Sequence, residues 1–202
     1  MKFETNFYSQ YVKQWLRPFG VAFIFLISLT ACSQNKTIQW REETKLSNGK
    51  VIVVERKAEF RSVYAGGTGN GWLFQHARIK AVFPDINKEV AWEGGLVPLA
   101  IDEDKNGDIY LVGIAMTSQG NQQYSIPNGM FHAAFKFNGV DQWIRIPVET
   151  VPLEFRPNLL IGAARLFIDQ RQSTSEVLDL ELKEKANSEN YTDEPFRHWP
   201  TK

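Results

Sequence analysis

Along most of this chain apolar and polar residues alternate with a period of two, the spacing of a strand that buries one face. Ile38-Gln39-Trp40-Arg41-Glu42-Glu43-Thr44-Lys45-Leu46 meets Ser47-Asn48-Gly49 and resumes as Lys50-Val51-Ile52-Val53-Val54-Glu55-Arg56. Asn-Gly between two such runs tolerates the positive φ of a tight turn, so a β-hairpin is predicted here. Phe74 to Phe83 places Ala77, Ile79, Ala81 and Phe83 on one face, and Pro84-Asp85-Ile86-Asn87 then turns the chain into Glu89-Val90-Ala91-Trp92, a second hairpin. Leu96 to Ile101 and Ile109 to Ile114, joined by the polar Asp102–Asp108, make a third. Phe131 to Phe137, the Asn138-Gly139 turn and Gln142 to Ile146 make a fourth. Pro147, Pro152 and Pro157 exclude a long helix and predict an extended crossing segment, with Ala163 to Ile168 as a last strand. Ser173 and Glu176 have capping-box spacing, whereas Leu178, Leu180 and Leu182 alternate as in a strand; helix-favouring Leu, Glu, Lys and Ala predict a short helix from about Leu180 to Asn187. The expected architecture is a mainly β domain over 38–187, an antiparallel β-sandwich or open barrel with a short C-terminal helix, followed by a loosely attached tail, 188–202. Irregular strand spacing argues against a propeller.

The pattern before Ile38 is of another kind. Phe19 to Ala31 is an uncharged apolar run preceded by Lys2, Lys13 and Arg17 against Glu4 alone. A helix needs about 20 apolar residues to cross the bilayer core, so this run is short for a span and normal for the apolar region of a signal peptide, 1–31. The leader before Phe19 is long, which suggests initiation downstream of Met1. Its end, Leu29-Thr30-Ala31-Cys32, resembles the lipobox of bacterial lipoproteins. The resemblance implies transfer of a diacylglyceryl group to the Cys32 thiol, cleavage between Ala31 and Cys32, acylation of the new amino terminus by a fatty acid such as palmitate, and a lipidated linker, 32–37. Two or three acyl chains anchor far better than one, at about 0.8 kcal/mol per buried methylene. Ser33, in place of an aspartate, favours the periplasmic face of the outer membrane. The segment Trp40-Arg41-Glu42-Glu43 with Leu46 to Arg56 resembles the mature amino terminus of a set of uncharacterised bacterial proteins, many of them predicted lipoproteins, and this resemblance carries no activity with it.

Composition narrows the function classes. With 43% hydrophobic and 23% charged residues, the 202-residue chain can bury a core of its own. Its 23 basic and 23 acidic residues balance, and removal of the leader leaves a slightly acidic domain, so no broad positive field exists to hold nucleic acid. The single cysteine excludes an internal disulfide and Cys-rich metal clusters.

Candidate chemistry is sparse. Asp102, Asp104, Asn106 and Asp108, with Gly107 as the sixth residue, match the first half of a calcium loop, but the twelfth position falls on Gly113 and the flanks read as strands, so a solvated turn is expected. Gly66-Gly67-Thr68-Gly69-Asn70-Gly71 lacks the ending of a phosphate-binding loop and reads as a mobile loop or a set of bulges. His76, His132 and His198 lack metal-ligand spacing, and no nucleophile motif is present. Glu42 and Glu43, adjacent on a strand, point to opposite faces and cannot share a substrate. Trp40, Trp72, Trp92, Trp143 and Trp199 fit a sandwich core and its rims, or an aromatic binding patch. The expectation is a domain with no catalytic residue and no cofactor, serving binding or envelope assembly with an envelope protein as possible partner. The alternatives are an envelope hydrolase whose site gathers side chains from distant strands, and a calcium-stabilised binding module.

Overall fold

The computed structural model describes residues 35–65, 69–84, 87–140, 142–161 and 177–190. The chain divides into two units at Gln34 and Asn35, and all described residues belong to the second. Strands β1 (Asn35–Lys45), β2 (Val51–Ala65), β3 (Gly69–Phe83) and β4 (Lys88–Gly94) form a meander, and β9 (Val177–Leu178) joins them in the sheet order β4-β3-β2-β1-β9. Strands β5 (Val97–Glu103), β6 (Ile109–Ile114), β7 (His132–Phe137) and β8 (Trp143–Ile146) form a second sheet in sequence order. Neither sheet closes into a barrel, and every pairing is antiparallel except β1 with β9. Helix α1 (Ser118–Gln123) lies between β6 and β7, and helix α2 (Leu180–Asn190) follows β9.

All four expected hairpins form. In the first, Gly49 takes a φ of +84°, as the Asn48-Gly49 turn requires. Strict alternation in β1, with Ile38, Trp40, Glu42 and Thr44 buried and Gln39 and Arg41 exposed, shows a sheet packed on one face and wet on the other. The inward side chains of this first sheet, among them Val54, Ile79, Phe83 and Trp92, meet Ile101, Leu111, Phe135 and Phe137 of the second in one core.

The second sheet buries β5, β6 and β7 on both faces, while its edge strand β8 is half-buried to exposed. Residues 147–161, with a single 3-10 turn at Val148–Thr150, cross its outer side, and Val151, Phe155 and Ile161 pack there on Leu99, Tyr110 and Val112. This covering explains why β5, β6 and β7 read as nearly continuous apolar runs rather than alternating ones. The proline-rich crossing expected from the sequence is thus a third layer.

Several details differ from expectation. Strand β2 runs on to Ala65 and pairs with β3 as far as Gly69, where the sequence suggested an end at Arg56. Gly69, Asn70 and Gly71 are strand residues, residues 66–68 lie outside the described residues, and the bulge falls at Gln75, opposite Glu59 and Phe60. Helix α1 has no hydrophobic periodicity; Thr117 caps it by accepting the Gly120 N–H at 3.1 Å. Helix α2 continues through 188–190, residues expected in the tail, while Ala163–Ile168 and 191–202 lie outside the described residues.

Candidate functional site

The period-two pattern that buries Ile38 and Trp40 also buries Glu42, and the same stripe on β2, Ile52-Val54-Arg56-Ala58-Phe60, buries Arg56 beside it. The two charges are 0% and 4% exposed and meet at 2.8 Å. An ion pair this deep is tolerable only when the remaining polar atoms find partners. Leu160 N–H donates to both Glu42 oxygens at 3.1 and 3.0 Å, and Trp40 Nε1 donates to Oε2 at 3.3 Å. The Arg56 guanidinium stacks 5.0 Å from the Trp40 ring centroid and reaches Leu160 O and Pro98 O at 3.5 Å each. Burial lowers the Arg56 pKa, against the opposing pull of the Glu42 carboxylate. Three elements, β1, β2 and the crossing segment, are joined at one carboxylate.

Beside this pair, Lys183 of α2 is buried and donates to Asn158 O at 2.7 Å and to Glu43 O. Burial lowers its pKa, opposed by the Glu42 charge. Asn187, one turn on, accepts Ile161 N–H at 2.9 Å and donates to Leu159 O at 3.1 Å. Asn158 in turn clamps the free edge of β5, accepting Ile101 N–H at 3.1 Å and donating to Ile101 O at 2.8 Å.

A hollow of about 230 Å³ opens over this junction, lined by Ser47, Asp102, Glu154, Arg156, Lys183 and Asn187. One of its carboxyls, Asp102, is raised in pKa chiefly by burial, opposed by hydrogen bonds from Ser47 and Glu103. A raised carboxyl and a lowered amine lining one hollow is the pattern sought in acid–base sites. Here, however, both groups are committed to backbone. Asp102 accepts Ser47 N–H at 3.0 and 3.1 Å, Ser47 Oγ at 3.1 Å and its neighbour Glu103 N–H at 2.8 Å. What the arrangement does is lock the β1–β2 turn, β5, the crossing segment and α2 together.

No family model, curated protein or solved structure matches this chain.

The other residues singled out by sequence fall elsewhere. Asp104 organises the β5–β6 turn, accepting Asn106 N–H at 2.8 Å and Asp108 N–H at 3.0 Å, while Asp108 pairs with Lys136 at 2.6 Å. Asp102 is thus held on the β1–β2 turn, apart from these two, and Asn106 donates its backbone to Asp104. Among the described residues no three metal-ligating side chains converge. His76 lies 3.8 Å from Glu93 on the wet face of the first sheet, His132 is buried at the start of β7, and His198 lies outside the described residues. Trp40 and Trp92 are core residues; Trp143 donates Nε1–H to Ala91 O at 2.7 Å, tying β8 to the edge of β4; Trp72 is exposed; Trp199 lies outside the described residues. Cys32 and the leader also lie outside them. Sequence reading missed the Glu42–Arg56 pair, although a charge at the inward phase of two neighbouring apolar stripes, opposite in sign, is a readable signal.

Proposed function

We propose that this chain is a lipid-anchored β-domain of the bacterial cell envelope, tethered through acyl groups on Cys32 and serving binding or envelope assembly rather than catalysis. The observation that carries the reading is the apolar run Phe19–Ala31 ending in Leu29-Thr30-Ala31-Cys32. A signal segment of this length delivers the domain across a membrane, and cysteine supplies the thiolate that becomes a stable thioether. Ser33 favours the outer membrane. The binding role is supported by the use made of four buried ionisable groups: Glu42, Arg56, Lys183 and Asp102 each hydrogen-bond the frame itself. Metabolic labelling with a radioactive fatty acid tests the anchor. Wild-type protein is expected to take up label that Cys32→Ala lacks; equal labelling of the two would overturn the reading.

A further inference from the structure

Among the described residues, the first sheet has an overhang at the end where β1 starts. Strand β1 begins with Asn35 paired to Arg61, whereas β2 and β3 continue past that point as a two-stranded ribbon, Ser62–Trp72 to Ala65–Gly69. At about 3.3 Å per residue the ribbon projects about 13 Å beyond β1. Cys32 is three residues before Asn35 in sequence, so the proposed tether is short, at no more than about 3.6 Å per residue.

The composition of this end is unlike the rest. In a chain with 23% charged residues, none of Asp, Glu, Lys or Arg occurs from Ser62 to Ala77 or from Ile109 to Phe135. The two stretches come together: Leu73 and Gln75 of β3 share a shallow depression with Met116, Thr117 and Gln123 of the β6–β7 connection. Met116 is 56% and Trp72 37% exposed. Phe131 and Met130, also exposed, lie on the same side, since Ala115 N–H donates to Phe131 O at 2.9 Å. Two cations stand at the base: exposed Arg61, which borders the same depression, and half-buried Lys36, whose ammonium lies 5.7 Å from the Trp72 ring centroid. The opposite end, at the β3–β4, β5–β6 and β7–β8 turns, carries Lys88, Asp104, Lys105, Asp108 and Lys136.

We propose that this uncharged end rests in the headgroup region of the leaflet that holds the Cys32 lipid, with Trp72 and Met116 at the acyl boundary and Lys36 and Arg61 against phosphates. The inference rests on the lipid-anchor reading above. Tryptophan favours the interface because its ring is apolar and its N–H stays hydrated, and the two uncharged stretches keep their neutral polar groups hydrated among the headgroups without the larger penalty of desolvating an ion. Anionic headgroups attract the two basal cations. A short tether makes the contact intramolecular in effect, so weak interfacial affinity is enough to fix the orientation of the domain.

The full chain, purified with its lipid and reconstituted in vesicles of phospholipid brominated near the glycerol end of the acyl chain, tests this. Tryptophan emission is expected to be quenched, and Trp72→Phe to remove most of the quenching. Val140→Trp in the Trp72→Phe background, at the charged end and 73% exposed, should not restore it. Fatty-acid labelling of the same samples separates the two proposals. Label on wild type with quenching unchanged by Trp72→Phe leaves the anchor standing and overturns the interfacial placement alone, whereas absence of label removes both. Trp72→p-benzoylphenylalanine, irradiated in membranes, should give lipid adducts; protein adducts in their place would assign this end to a protein partner and overturn the proposal.

Discussion

Glu42 shows how much one side chain can decide in a two-sheet protein. Its carboxylate serves Arg56, Leu160 N–H and Trp40 N–H at once, so removing it strands a buried guanidinium together with a buried amide. Glu42→Ala is therefore expected to destabilise the domain by about 3–5 kcal/mol, as is usual for breaking one half of a buried pair. The double variant Glu42→Leu, Arg56→Met removes both charges and should recover a large part of that loss in urea unfolding; a double variant no more stable than Glu42→Ala would show that the pair is replaceable by nothing apolar. Asp102 gives a pH signature of opposite sense to the usual acidic residue. Its pKa is raised on folding, so the native state binds the proton more tightly than the unfolded chain, and this contribution grows as pH falls through the raised value and is complete below the ordinary aspartate range. The stability difference between wild type and Asp102→Asn should accordingly move in favour of wild type on acidification from neutral pH to below about 4. A difference that moved the other way would mean that the Ser47 hydrogen bonds, not burial, dominate at this carboxyl.

At the scale of elements, what local chemistry determines was legible and what distant contacts determine was not. The Asn48-Gly49 and Asn138-Gly139 turns specify their hairpins because positive φ and strand alternation are both written within a dozen residues. Strand β9 has two residues and a parallel partner more than a hundred residues away, and α1 is a polar helix fixed by the Thr117 cap, so neither leaves a periodic trace. The ionic junction was half legible: Glu42 was correctly placed on the face opposite Glu43, but which face is the core depends on the second sheet. Helix α2 shows the same dependence. It is predicted by its own propensity, yet its place is set by distant contacts: Lys183 and Asn187 hydrogen-bond Glu43, Asn158, Leu159 and Ile161, and Ala186 packs with Ile38, Trp40 and Leu160. Asn187→Ala leaves Ile161 N–H and Leu159 C=O without this partner, and about 1–3 kcal/mol should be lost from the docking of α2. Hydrogen exchange should show it as faster exchange in 180–188 with β2 and β3 unchanged; uniform acceleration throughout would mean that the helix and the sheets unfold as one unit.

For the whole molecule, the unequal wetting of the two sheets sets the order in which it comes apart. The first sheet presents a polar outer face to water and needs only its inner contacts. In the second, β5, β6 and β7 are covered on both sides and depend on residues 147–161, whose anchor Phe155 is 1% exposed and packs edge-on against Tyr110 with ring centroids 5.5 Å apart. Phe155→Ala removes the largest side chain of that cover, and a buried phenylalanine truncated to alanine costs about 3–5 kcal/mol. Because the outer apolar cluster is separate from the one between the sheets, the loss should fall first on the cover and on β5 and β6, which would open at lower urea concentration than β2 and β3. The expected signs are binding of an apolar dye before the main transition, and exchange of the Leu99, Tyr110 and Val112 amides well ahead of Val54 and Ile79. A single transition in Phe155→Ala, with all five amides released together, would show that the inner core couples the sheets strongly enough to make the covering segment part of one cooperative unit.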